Sequence, residues 1–131
     1  IQMFKEVAKS KLPGLIFTYV WQLDSEKDCK FIETIIQIFE RANATVCFVE
    51  LEASVEVRLK RNRSPNRLKH KPSKRNFKTS EKELLDNDFN HILNSSNNEF
   101  KDKNYIKINN TNLPADAVAR VISERFELIT L

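Results

Sequence analysis

The chain has 131 residues, with 22 Lys or Arg against 18 Asp or Glu, 40% hydrophobic residues and one glycine. That length and balance fit a single globular domain spanning 1–131 with a core of its own. No apolar run approaches the roughly 18–20 residues that cross a bilayer, and none reads as a secretory leader, so no membrane partner is expected and the cytoplasm is the expected location. Gly14 alone cannot build a glycine-rich phosphate loop, which excludes both the G-x-x-x-x-G-K-[ST] and G-x-G-x-x-G patterns within these residues.

Residues 1–10 place Met3, Phe4, Val7 and Ala8 at helical spacing, and Pro13-Gly14 closes that segment. LIFTYVW at 15–21 is a continuous apolar, β-branched run, the pattern of a strand covered on both faces. Ser25, with Asp28 three positions on, opens a helix that repeats Phe31, Ile35, Ile38 and Phe39 and frays near Asn43. TVCFVEL at 45–51 reads as a second buried strand. Ser54 caps a short helix, VEVRLKRN, and Pro65 and Pro72 forbid its continuation. Ser80 with Glu83 predicts a capping box for a helix reaching about Asn94. YIKIN at 105–109 is the third strand, and Pro114 stands near the start of a last helix ending about Phe126. Strands alternating with helices predict an α/β fold with a parallel sheet layered by helices. Cys29 and Cys47 lack metal-ligand spacing and are expected as buried free thiols.

Charge is concentrated in one place. Residues 58–75 hold nine Lys or Arg and no acid, leaving the rest of the chain net acidic. Such a stretch suits phosphate, on a nucleotide, a metabolite or a nucleic acid. Nucleic acid is the weaker reading, because Phe77 is the lone flanking aromatic and no reader motif is present. His70 and His91 have no Ser, Cys or metal-ligand constellation around them, which removes hydrolase triads and zinc sites.

The succession GLIFTYVWQLD, ATVCFVELEASVEVRLKRN, RLKHKPSKRN and INNTNLPADAVARVI resembles the second half of P-loop small-molecule kinases, of the shikimate-kinase-like and AAA-labelled bacterial ATPase kind, over most of residues 4–128. The resemblance implies a three-layer α/β/α fold, incomplete because the first strand and Walker A loop are missing. With a start at Ile1 and a single glycine, these residues are expected to be a piece of a longer protein. The implied activity is ATP-dependent phosphotransfer with Mg²⁺, and the chain is expected to be inactive by itself. The phosphate acceptor stays open among shikimate, a nucleoside monophosphate and other hydroxylated metabolites. A non-catalytic oligomer, self-associating through exposed sheet edges, is the alternative.

By the same resemblance, residues 58–79 form a lid whose arginines stabilise the transferring phosphoryl group. Arg58, Arg61, Arg63 and Arg67 are the candidates, with Lys69, Lys71, Lys74 and Arg75 behind them; the plain alternative is a solvated basic surface. Asp24 falls near the Walker B position, where it would hold Mg²⁺ through water or else cap the following helix. Asn109, Asn110, Thr111 and Asn112 would lie beside the adenine ring, or cap the last helix. Tyr19 and Trp21 would line an acceptor pocket or pack in the core.

Overall fold

The computed structural model describes residues 1–71, 76–96, 100 and 104–128. In chain order these form α1 (Gln2–Lys9), α2 (Glu26–Arg41), β1 (Phe48–Glu52), α3 (Val55–Asn62), α4 (Pro65–His70), α5 (Phe77–Asn90), β2 (Tyr105–Asn109) and α6 (Ala115–Arg125). The fold is mixed helix and strand around a parallel pair, β1 beside β2, in register from Phe48–Tyr105 to Glu52–Asn109.

Local chemistry sets the helix starts. Ser25, Ser54 and Ser64 accept backbone hydrogen bonds from Asp28, Val57 and Arg67, at 3.3, 3.3 and 3.2 Å, satisfying amides that each first turn leaves over. Pro65 opens α4, where its missing N–H costs nothing, so the basic stretch as far as His70 is divided between two short helices. Acids in the first turn of α2 and Arg41 in its last complement the helix dipole. Asn43, at φ 60°, turns the chain out of α2 in the left-handed region, which Asn tolerates better than most residues.

The sheet alternates, because side chains along a strand point to opposite faces. Val49 and Leu51 share one face with Ile106 and Ile108, and α6 packs there, burying Ile108 and Val118. Glu50 and Glu52 fall on the other face with Tyr105 and Lys107. A second apolar cluster lies between α1 and α2, where Phe4 is buried edge-on against Phe17 and Phe39 at centroid distances of 5.0 and 6.4 Å. Ile32 and Ile35 are buried on α2.

Several expectations need correcting. Residues 15–21 belong to no strand: among the described residues no backbone–backbone hydrogen bond involves 13–21. A strand exists only with a neighbour to pair with, and an apolar run cannot supply one. Phe17 and Tyr19 pack against Phe31 yet stay 40% and 43% exposed, and Ile16 and Val20 are 90% and 64% exposed. The strand expected at 45–51 lies at Phe48–Glu52, which leaves Cys47 outside it and exposed, with Cys29 half-buried. Ser80 does not begin a helix. Asn76 caps α5, its Oδ1 accepting from Thr79 N at 3.2 Å, and Ser80 is buried one turn inside. α5 also stops at Asn90, short of Asn94, so His91 is its C-cap residue and half-buried.

Candidate functional site

In open α/β sheets, ligands gather beyond the carboxyl ends of parallel strands. Here both strands end beside each other: Asn110 N donates to Glu52 O at 2.8 Å, and Ser54 N donates to Thr111 Oγ1 at 3.2 Å. The turn after β2 is held by its own side chain, Thr111 N donating to Asn109 Oδ1 at 3.1 Å, and by Leu113 N on Asn110 O. α3 leaves β1 at the same end and directs Arg61 back over that turn. Its guanidinium donates to Asn110 Oδ1 at 3.0 Å, Asn110 O at 2.6 Å and Thr111 O at 3.3 Å. Beside it opens a pocket of about 320 Å³ lined by Leu51, Arg61, Asn110, Leu113, Pro114, Ala115 and Val118. That is the lower end of small-molecule pocket sizes, about 300–1,000 Å³, with mostly apolar walls and the Arg61 guanidinium and Asn110 at its edge.

The four candidate arginines do not converge. Arg58 and Arg61 share a face of α3 by spacing, yet they part company. Arg58 donates from Nε to Ala53 O at 3.1 Å and pairs with Asp88 of α5 at 2.5 Å. Arg63 pairs with Glu81 of α5 and stacks on Phe77 at 5.2 Å from the ring centroid. The hydrogen bond that Arg63 donates to Glu81 raises the guanidinium above its ordinary range and pulls the Glu81 carboxyl below its own. Arg67 is exposed on α4, and no ion pair or hydrogen bond of its side chain occurs among the described residues. Lys69 and Lys71 are also exposed; Lys74 and Arg75 lie outside the described residues, as does part of the 58–79 segment.

Asp24 faces the far end of α5. Its Oδ1 accepts from Ile92 N at 3.0 Å and its Oδ2 stands 3.6 Å from His91 Nδ1. The Ile92 amide is the main reason its carboxyl lies below the usual range. It is exposed and caps nothing in α2, that role falling to Ser25. Among the described residues no three His, Cys, Asp or Glu gather as metal ligands. Asn109, Asn110 and Thr111 sit at the pocket end as described; Asn112 is exposed, and the last helix is capped by Pro114 without a side-chain hydrogen bond. Tyr19 donates to Asp28 at 3.1 Å, and Trp21 lies half-buried against Phe100 at 5.6 Å.

Sequence reasoning missed two groups. One is the acids of α5 that neutralise Arg58 and Arg63; their signal is the stripe Phe77, Glu81, Asp88, which repeats along one helix face. The other is a polar clasp on β1. Glu50 accepts from Ser95 Oγ at 2.5 Å, Tyr105 OH at 2.6 Å, Asn94 Nδ2 at 2.8 Å and Ser95 N at 2.9 Å. Burial pushes its carboxyl up, but the Ser95, Tyr105 and Asn94 hydrogen bonds outweigh burial and bring it down to about 2. Lys107 closes the clasp, donating to Ser95 O at 2.7 Å and standing 3.6 Å from Glu50. Its signal was the pair of acids at alternate positions inside an otherwise apolar strand.

Comparison with known proteins gave no matching family model, curated protein or solved structure.

Proposed function

We propose that this chain is the base-binding and phosphate-grasping part of an ATP-dependent small-molecule phosphotransferase, with the three-layer P-loop kinase architecture as its complete form. The observation that carries the reading is the meeting, at the carboxyl ends of two parallel strands, of a basic helix with the Asn109–Asn112 turn beside an apolar pocket. Leu51, Leu113 and Val118 would flank the base, with Arg61 across it. Arg58 on α3, Arg63 at its end and Arg67 on α4 would reach the phosphates from either side of Arg61. Guanidinium is the suitable group, because its planar fork grips phosphate oxygens in pairs and stays charged at any working pH. These residues supply no glycine loop to cradle the phosphates, so the 131-residue chain alone is read as a weak binder without measurable phosphotransfer.

Amide chemical shifts followed during titration test the reading. ATP should move Leu51, Asn110, Leu113 and Val118 saturably, while inorganic tripolyphosphate should move only α3 and α4. Identical shifts from both ligands would remove the base pocket and leave a polyanion surface, whose affinity falls steeply with salt.

One observation favours a second reading, a non-catalytic oligomer. Among the described residues, Phe89 is 90% exposed and Ile92 57%. Ile16 and Val20 lie on the open side of 15–21. Sedimentation at micromolar concentration separates the readings: a persistent monomer rejects the oligomer, and a stable dimer favours it.

A further inference from the structure

α5 runs antiparallel to α3 and holds it at three points along one side. Arg58 pairs with Asp88 near the carboxyl end of α5, Asn62 Nδ2 donates to Ser80 Oγ at 2.8 Å in a buried contact, and Arg63 pairs with Glu81 over the Phe77 ring. The two acids occupy the guanidiniums through which α3 would grasp phosphate. The geometry points to α5 as a built-in competitor: Asp88 and Glu81 stand in for phosphate oxygens while the site is empty, and a polyphosphate must displace them to bind. This inference rests on the phosphate-grasping role proposed above and adds its regulation.

The energetics permit such an exchange. Both pairs are partly exposed, with the Arg63 side chain 57% accessible, and exposed carboxylate pairs hold weakly. A phosphate chain offers a higher charge and bidentate geometry to the same forks. The buried Asn62–Ser80 contact and the Phe77 ring keep α3 and Arg63 in place when the acids let go. The competitor therefore lowers affinity for short or singly charged anions without dismantling the site. It also keeps the arginines from capturing stray polyanions.

The test measures inorganic tripolyphosphate and ATP binding by calorimetry at 0.15 M salt, for the wild-type chain, D88N, E81Q and D86N. Asp86 is an exposed acid of α5 with no ion pair among the described residues, so it controls for bulk charge. D88N and E81Q should each tighten tripolyphosphate binding about two- to five-fold, the range set by an exposed ion pair, with D86N unchanged. Weaker binding in D88N or E81Q would overturn the inference and make the acids positioning residues. An equal gain in D86N, or no binding by any variant, would also overturn it. Tighter binding with no preference for ATP over tripolyphosphate would keep the competitor and reject the base pocket.

Discussion

Replacing Glu50 by Gln removes the charge at the centre of the clasp on β1 while keeping its shape. The side chain is 14% exposed and its carboxyl lies at about 2 against an ordinary 4.5. A difference of that size corresponds to about 3 kcal/mol of stability at neutral pH. The folded value is depressed, so the contribution is complete above the unfolded value near 4.5 and is lost as pH falls towards 2. Gln can still accept from Ser95 N and Asn94, and the Ser95 and Tyr105 hydroxyls can turn to accept from its amide. The loss in E50Q at pH 7 is therefore about 2–3 kcal/mol, a fall of about 10 °C in melting temperature for a chain this size. Urea denaturation followed by circular dichroism at pH 7, 4.5, 3 and 2 checks it. The gap between wild type and E50Q should be full at pH 7 and shrink steadily below 4.5. A gap that stays constant across this range would refute the argument, because it would place the cost in packing and not in the carboxylate.

Two other measurements follow from the geometry. Asn62→Ala should cost about 0.5–1.5 kcal/mol by removing the buried donor to Ser80 Oγ, whose hydroxyl keeps its bond to Phe77 O, and N62A/S80A should cost less than the two single changes together; additive losses in denaturation would show that the contact is not a unit. A thiol reagent should label exposed Cys47 at once and half-buried Cys29 slowly, and equal rates at the two positions would contradict the packing of α2.

What the sequence disclosed was mostly local. Ser54 followed by a short helix, Pro65 ending that helix and Pro114 before α6 all declare themselves within four residues, because caps and prolines act over one turn. The failures were non-local. LIFTYVW has every property of a strand except a partner, and partnership is decided elsewhere in the chain. Ser80 fitted a capping pattern but was taken by Asn62, eighteen positions away. The site divided in the same way. Arg61 meets the Asn110 turn where the carboxyl-end rule would place a ligand, whereas the pairing of Arg58 and Arg63 with α5 depended on how two helices align. A basic stretch read in one dimension overstates how many of its charges remain free.

The two strands stand about 57 positions apart in register. Every rung between them must therefore wait until the 57 positions that separate the partners have been made. The α3–α5 hairpin closes over far shorter spans and can assemble while the edge of β1 is still bare. During synthesis Arg58 and Arg63 would thus meet their acids before the platform beneath them exists.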